Sequence, residues 1–197
     1  MRLVIASRNA HKLRELRELL PECELEPLPE GVELPPETGD TFADNAVVKA
    51  RAAAEATGLP AIADDSGIEA AALGGRPGVL SARFAGERAT DEENLDKLLR
   101  EVPADGDRRV AYACVLACVD PREPTGAPAL FEGRCTGTLA SDPRGDGGFG
   151  YDPAFVPDDV GDGRTMAELD PAEKDAISHR GRAARAFRDW LRGERAA

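Results

Sequence analysis

Apolar positions in the first part of the chain switch between the spacing of a strand and the spacing of a helix. Residues 2–6 form a short apolar run that predicts a buried strand, and a second short strand is predicted near 24–26. A helix is predicted between them, ending before Pro21, from the spacing of Leu13, Leu16, Leu19 and Leu20. A second helix is predicted after Thr41 from the stripe Ala43, Val47, Ala50 and Ala54.

The later part of the chain continues this alternation. Capping boxes predict helical starts at Thr90, Thr165 and Asp170, and Thr41 begins a similar box that has Asp44 in place of Glu or Gln. Apolar runs predict a long strand over 108–119 and another near 129–137, which suggests a hairpin. A final helix is predicted from residue 178, with an inward face made of Ala183, Ala184, Phe187, Trp190 and Leu191. The pattern indicates an α/β fold.

Two adjacent acids close the apolar run 59–63. Asp64 and Asp65 are followed at once by Ser66 and Gly67, so we expect a strand that ends in a turn. Acids at the carboxyl end of a strand can hold a metal ion or a water beside a bound ligand. Asp, Ser and Gly are also ordinary turn residues, so the run alone leaves both interpretations open.

The segment from Ser7 to Lys12 joins the first strand directly to the first helix. The free N–H groups of a helix start, together with the Ser7, Asn9 and Lys12 side chains, are suited to a phosphate group. The segment lacks the glycines of a Walker A loop. The alternative is that Asn9 only caps the helix and that Lys12 is solvated.

A bend before the second helix carries a carboxylate, an amide and an ammonium. Glu37 precedes the helix, and Asn45 and Lys49 are four residues apart, so the latter two share one helix face. All three side chains can therefore be presented to one site. Taken singly, each is an ordinary surface residue.

The glycine-rich segment 145–153 does not have the dinucleotide-binding pattern. Its glycines can leave Phe149 and Tyr151 exposed beside Asp152, where an aromatic ring stacks on a nucleobase, or the rings can fold back into the core. His179 and Arg180 lie in the first turn of the last helix, where the helix dipole disfavours cations. Positive groups in that position suggest an anionic or carbonyl-bearing partner.

Composition narrows the class of protein. The 197 residues suggest one domain spanning 1–197, and the net charge of −12 disfavours a nucleic-acid binder. No apolar run is long enough for a bilayer and the start is too quickly polar for a signal peptide, so we expect a cytoplasmic protein without a membrane partner.

The spacing of Cys23, Cys114, Cys118 and Cys135 is not that of a zinc site. Only four of the 25 Lys and Arg residues are Lys, so each Lys is a candidate for a site that needs a compact ammonium. The alternative is that all four are ordinary surface lysines.

Together, these segments resemble the inosine triphosphate pyrophosphatase family, the Ham1-like XTP/dITP diphosphatases. Five segments carry the resemblance in order over nearly the whole chain: Ser7–Lys12, Glu37–Phe42, Ala63–Gly67, Gly147–Pro153 and Ser178–Gly181. Ser7 stands where many relatives have Thr, which keeps the hydroxyl. Arg8 stands where a small residue is frequent, so it either makes the phosphate loop more basic or points into solvent.

The resemblance implies a role for each matching residue. The triphosphate would be bound by Ser7, Arg8, Asn9, Ala10, His11 and Lys12, with Lys49 adding positive charge. Glu37 and Asp65 would bind Mg²⁺, Asp65 would also act as the general base, and Ser66 would touch the substrate. Asp64 is left as a supporting or second metal-side carboxylate. The nucleobase and sugar contacts would come from Phe149, Gly150, Tyr151, Asp152, Lys174, His179 and Arg180.

The family also implies a reaction and an architecture. We expect hydrolysis of ITP, dITP and XTP between the α and β phosphates, in a homodimer. The expected fold is an elongated mixed β-sheet flanked by helices, with two lobes around a central substrate cleft. A Maf-like pyrophosphatase of other base specificity and a nucleotide-binding regulator without catalysis are the alternatives, and a structural or adaptor protein is the baseline.

Overall fold

The computed structural model describes residues 1–123 and 127–194. Its strands are β1 (Arg2–Ile5), β2 (Glu24–Pro27), β3 (Ala61–Ala70), β4 (Arg109–Val119), β5 (Ala129–Leu139) and β6 (Phe155–Pro157). Its α-helices are α1 (Ala10–Leu19), α2 (Phe42–Thr57), α3 (Asp91–Glu101), α4 (Pro171–Ile177) and α5 (His179–Glu194). Short 3-10 turns cover Ala71–Leu73, Gly78–Arg83, Asp152–Ala154 and Met166–Glu168.

The six strands form one sheet in the order β2-β1-β3-β4-β5-β6. β1 pairs in parallel with both β2 and β3, whereas β5 and β6 are antiparallel. The prediction of a mixed sheet flanked by helices is therefore confirmed. Within the described residues, no helix combines the length and the apolar character that crossing a bilayer requires.

The chain forms two compact units. Unit 1 contains residues 1–65, 114–133 and 180–197, of which 124–126 and 195–197 are outside the described part of the chain. Leu3, Leu16 and Phe187 belong to one of its apolar clusters, and the buried alanines of α2 belong to another. Unit 2 contains residues 66–113 and 134–179, and its core includes Leu98 and Phe155. The predicted central cleft stays a prediction.

Most of the predicted helix starts are confirmed. Complete capping boxes are present at Thr90, Thr165 and Asp170. At Thr41 the hydroxyl accepts from the Asp44 N–H, but it donates to the Asp44 carboxylate, so the box is only half formed. Asp has one methylene fewer than the Glu of a complete box, and here its carboxylate binds the cap hydroxyl instead of the cap backbone.

The prediction that a strand ends at the two acids is wrong. β3 runs from Ala61 through Asp64 and Asp65 to Ala70, with β4 as its neighbour in the sheet. The strand that ends here is β1, whose last residue, Ile5, is paired with Ile62. Asp64 therefore lies just beyond the carboxyl end of β1, where an open α/β sheet places its ligands, although β3 itself continues.

Gly67 is required by close packing rather than by a turn. A Cβ atom at this position would lie 2.4 Å from the Gly78 carbonyl oxygen and 2.4 Å from the Ser81 hydroxyl oxygen. The same hydroxyl accepts from the Ile68 N–H at 2.9 Å, which ties the 3-10 turn to β3.

Replacing Gly67 by Ala should therefore destabilise the protein by about 1–3 kcal/mol, the usual cost of overpacking. Urea unfolding at neutral pH measures this difference. Gly193→Ala is the matched control, because nothing lies within 4 Å of the added methyl group and Ala is the better helix former. Equal stability of Gly67→Ala and the unmodified protein would contradict the packing argument.

Candidate active site

The segment Ser7–Lys12 forms a capped helix start. The Asn9 side-chain oxygen accepts from the N–H groups of His11 (2.9 Å) and Lys12 (3.2 Å), and Ser7 Oγ accepts from the Asn9 N–H (3.2 Å). Ala10 is the first residue of α1. The capping role of Asn9 is thus confirmed.

Arg8 and His11 lie on the exposed side of this segment. The Arg8 guanidinium donates to the carbonyl oxygens of Val32 (2.9 Å) and Pro29 (3.1 Å), so it contacts the loop before α2. His11 Nδ1 lies 3.5 Å from a guanidinium nitrogen of Arg14. Arg8 is exposed, and its contact with a phosphate stays a prediction.

Lys12 points to a buried carboxylate instead of solvent. Its ammonium lies 3.0 Å from Asp64 Oδ1, and the Asp64 side chain is 0% exposed. The other oxygen, Oδ2, accepts from Arg180 Nη2 (2.9 Å) and Nε (3.1 Å). Arg180 Nη1 in turn donates to the buried Glu15 at 2.5 Å. Positive and negative charges therefore alternate along a row of four residues, which we call the Asp64 network: Lys12, Asp64, Arg180 and Glu15.

The Asp64 network fixes the ionisation of its central carboxyl. Burial by itself would raise the pKa of Asp64, but attraction by Lys12, Arg180 and Lys49 holds it well below its usual range. The thiol of Cys114, whose sulfur lies 3.8 Å from Asp64 Oδ2, has a pKa raised mainly by burial. The surroundings thus favour the ionised form of Asp64 and the neutral form of the neighbouring thiol.

Asp65 has a different set of partners. Its Oδ2 accepts from the Asn45 amide at 3.0 Å, and its Oδ1 lies 3.2 Å from the Lys49 ammonium. Lys49 also donates to Glu37 Oε1 (2.5 Å) and to the backbone oxygen of Asp64 (2.8 Å). The predicted meeting of carboxylate, amide and ammonium is present, with Asp65 at its centre.

The pKa of Asp65 moves in the opposite direction from that of Asp64. Burial raises it and the nearby Glu37 adds to this, while Lys49, Lys12 and the Asn45 amide lower it, and the net direction is upward. For Lys49, burial would lower the pKa, but Asp65, Asp64 and Glu37 together raise it. A carboxyl that is easier to protonate than usual is suited to accept a proton.

A second group of predicted site residues lies in unit 2. The carboxylate of the buried Asp152 accepts from the Tyr112 hydroxyl (3.0 Å), the Phe149 N–H (2.9 Å) and the Lys174 ammonium (2.8 Å). The Lys174 ammonium also lies 5.1 Å from the centre of the Phe149 ring. The His179 ring stacks on Tyr112, with centroids 4.5 Å apart. Asp152 therefore holds the backbone of the glycine-rich segment and orients Lys174.

The two aromatic rings of this segment have different environments. Phe149 is partly exposed, whereas Tyr151 is 5% exposed and its hydroxyl donates to the Ser81 carbonyl at 2.7 Å. Of the two possibilities left open for these rings, the structure shows the buried one for Tyr151, whose ring belongs to the apolar core of unit 2. Between them, the Gly150 N–H donates to Asp91.

Several other placements bear on the predicted roles. Arg180 is predicted to contact the nucleobase, yet its side chain is 2% exposed and is bound by Asp64 and Glu15. Ser66 follows Asp65 within β3 and is partly buried. For Asp64, the network favours the supporting role over that of a second metal-side carboxylate.

Sequence reasoning missed Glu15 and Tyr112. Glu15 lies three residues after Lys12 on α1 and is buried beside leucines. A buried Glu needs a cationic partner, and that partner, Arg180, is too distant in the sequence to be predicted. Tyr112 is the one hydroxyl-bearing residue predicted within the apolar strand 108–119, and this was a detectable signal.

Comparison with known proteins gives the family. Residues 3–190 match the family model of the Ham1 family. The chain belongs to this family. Relatives named dITP/XTP pyrophosphatase include those of Coxiella burnetii (49% identical, covering 93% of this chain and 92% of the relative) and Mycobacterium tuberculosis (50% identical, 92% and 91%).

Solved structures of Ham1 proteins are similar to this chain over nearly its whole length. A HAM1 protein from Coxiella burnetii matches with a TM-score of 0.86 and 44% identity over 98% of this chain and 99% of that chain. The Staphylococcus aureus Ham1 protein matches with a TM-score of 0.86 and 38% identity over 98% and 100% of the two chains.

The Asp64 network predicts a large loss of stability in Asp64→Asn. Removing one partner of a buried ion pair costs about 3–5 kcal/mol, which urea unfolding at neutral pH measures. Because the folded-state pKa of Asp64 is lowered, its stabilisation is complete above the unfolded pKa of about 3.9 and declines as the pH falls toward the folded value. The difference between the two proteins should therefore shrink below about pH 4.

Asp189→Asn is the matched control, since Asp189 forms an exposed pair with Arg192 and its loss should cost less than about 0.5 kcal/mol. If Asp64→Asn were as mild as this control, the Asp64 network would not support the fold.

Proposed function

We propose that the protein is a nucleoside triphosphate pyrophosphatase that hydrolyses ITP, dITP and XTP to the monophosphate and pyrophosphate. The observation that carries this proposal is the difference between two adjacent carboxylates. Asp64 is neutralised by the cations of its network. Asp65 has a raised pKa and lies beside Glu37, Asn45 and Lys49. The names of the relatives with about half of their residues identical support the same reaction.

The proposed cofactor is Mg²⁺, held by Glu37 and Asp65. Both contact the same ammonium, so their oxygens already surround one cationic position. Among residues 1–123 and 127–194, no three His, Cys, Asp or Glu side chains form a metal cluster. Two carboxylates nevertheless suit Mg²⁺, which keeps several waters and takes phosphate oxygens as its remaining ligands. When bound, Mg²⁺ acidifies a coordinated water and neutralises phosphate charge.

In this mechanism Asp65 orients the attacking water and accepts its proton, a role that its raised pKa favours. Asn45 holds one Asp65 oxygen at 3.0 Å, which fixes the plane of the carboxylate. The triphosphate, with about four negative charges, is attracted by Lys12 and Lys49 within an otherwise acidic protein. The ion pair with Asp64 fixes the position of the Lys12 ammonium at the first turn of α1.

Base recognition is assigned to the residues around Asp152. Phe149 is the proposed stacking ring, since it is the more exposed of the two aromatics. Donors such as Lys174, His179 and backbone N–H groups would pair with the 6-keto group of hypoxanthine or xanthine. A site built around such hydrogen bonds rejects an analogue that lacks the group by about 10⁴-fold, so ATP should be a poor substrate. Homodimer formation and a cytoplasmic location remain expectations.

The proposal is tested with the purified protein and Mg²⁺, by following pyrophosphate release from ITP, dITP, XTP, ATP and GTP. We expect pyrophosphate rather than orthophosphate, and kcat/KM values for the three non-standard nucleotides that are at least about 100-fold above that for ATP. GTP keeps the 6-keto group, so slower hydrolysis of GTP would have to come from its 2-amino group. Equal rates for all five would contradict the proposed selectivity. Faster hydrolysis of a modified pyrimidine triphosphate, added to the same assay, would favour the Maf-like alternative.

Asp65→Asn serves to test the catalytic assignment in the same assay. Loss of a general base should lower kcat by about 10²–10⁴-fold, while ITP binding, followed by calorimetry, stays measurable. Asp96→Asn, a change of the same chemistry at an exposed position on α3, is the control and should keep normal turnover. Near-normal turnover of Asp65→Asn would rule out Asp65 as the base. Measurable ITP binding without any turnover by the unmodified protein would instead favour a nucleotide-binding regulator without catalysis.

A further inference from the structure

The ammonium of Lys49 lies among three oxygens from three different residues. They are Glu37 Oε1 at 2.5 Å, the backbone oxygen of Asp64 at 2.8 Å and Asp65 Oδ1 at 3.2 Å. We call these three atoms the oxygen cage. The Lys49 side chain is 8% exposed, so the oxygen cage holds its cation largely away from solvent.

The composition of the oxygen cage is that of a site for a hard divalent cation. Carboxylate and backbone carbonyl oxygens are the ligands that Mg²⁺ and Ca²⁺ take in proteins. An ammonium in such surroundings satisfies its three N–H donors with the same oxygens. The three oxygens that bind the Lys49 ammonium are therefore also suited to bind a metal ion.

We infer that the Lys49 ammonium is a place-holding cation, which fills the oxygen cage while the protein is free of metal and leaves it when a divalent ion enters. This inference rests on the metal assignment of the proposed function. The ammonium and the metal ion then compete for the same oxygens.

Charge balance supports competition over joint occupancy. The third acid, Asp64, is already neutralised by Lys12 and Arg180, so the cage has the charges of Glu37 and Asp65 only. One ammonium neutralises half of this charge and a divalent ion neutralises all of it. With both cations present, the site would be overcompensated and the two positive charges would repel each other at close range.

The choice of side chain agrees with a movable cation. The chain has only four Lys among its 25 basic residues, and one of them stands here. A compact ammonium on a flexible four-carbon stem can leave the oxygen cage by rotation, whereas a planar guanidinium is fixed by its fork of hydrogen bonds. Once released, the ammonium is available to the phosphates of an incoming nucleotide.

The direct test follows the Lys49 side chain by NMR in the full-length protein without nucleotide. With ¹³Cε- and ¹⁵Nζ-labelled lysine the protein has four lysine signals, which Lys→Arg variants assign. We expect the Lys49 signal to shift and to gain mobility as Mg²⁺ is added. The Lys97 signal should stay unchanged, because its ammonium is held by the Phe84 carbonyl oxygen at 2.8 Å, outside the oxygen cage.

An independent measurement uses Mn²⁺ alone, with bound and free ion separated by electron paramagnetic resonance. Removing the competing ammonium in Lys49→Met should tighten Mn²⁺ binding by roughly tenfold or more, since the oxygen cage is then always open to metal. Lys97→Met is the matched control and should bind Mn²⁺ as the unmodified protein does.

The outcomes separate this inference from the proposed function. Movement of the Lys49 signal over the same concentration range in which metal binds supports the place-holding role. Binding of Mn²⁺ with an unchanged Lys49 signal in Mg²⁺ overturns that role and leaves the metal assignment intact. No binding of Mn²⁺ at millimolar concentration overturns the place-holding role, because an ion that enters only together with a nucleotide does not compete with Lys49 in the free protein.

Discussion

The buried carboxylate of Asp64, held between the cations of Lys12 and Arg180, is the interaction on which the rest of the site depends. It connects β3 with the first turn of α1 and the beginning of α5, elements that are far apart in the sequence. A buried charge is tolerated only with close partners and hydrogen bonds, and Asp64 has both. Glu15 in turn balances the charge of Arg180, and all four residues of the network belong to unit 1.

The network also explains why two adjacent acids behave differently. Successive side chains of a strand point to opposite faces, so one step along β3 moves the carboxylate from the α1 and α5 residues to the α2 residue Lys49 and the Glu37 loop. The pKa of Asp64 is lowered by its cations and that of Asp65 is raised by burial. Two adjacent residues of one strand thus carry carboxyl groups whose pKa values are shifted in opposite directions.

Much of the fold follows from local signals in the sequence. Leucine and alanine spacings predict α1 and α2, and the capping boxes predict the helix starts because they involve residues only three apart. The continuation of β3 through Asp64 and Asp65 is not predictable in this way. Asp, Ser and Gly favour turns locally, and pairing with a neighbouring strand overrides that preference.

The site was predictable to the extent that its contacts are local. Asn45 and Lys49 share a face of α2, and that spacing correctly brings them to one carboxylate. The pairing of Glu15 with Arg180 links residues 165 positions apart, and no periodicity in the sequence reports such a contact. The burial of Tyr151 likewise depends on the Ser81 carbonyl, which a distant 3-10 turn supplies.

The central claim is that Asp64 and Asp65 have opposite ionisation behaviour, and carboxyl NMR measures it directly. With ¹³Cγ-labelled aspartate, and Asp64→Asn and Asp65→Asn for assignment, a pH titration of the folded protein gives both values. Asp64 should stay ionised to the lowest pH at which the protein remains folded, while Asp65 should take up its proton above the ordinary value of about 3.9. Titration of Asp64 at or above the pH at which Asp65 titrates would contradict the account.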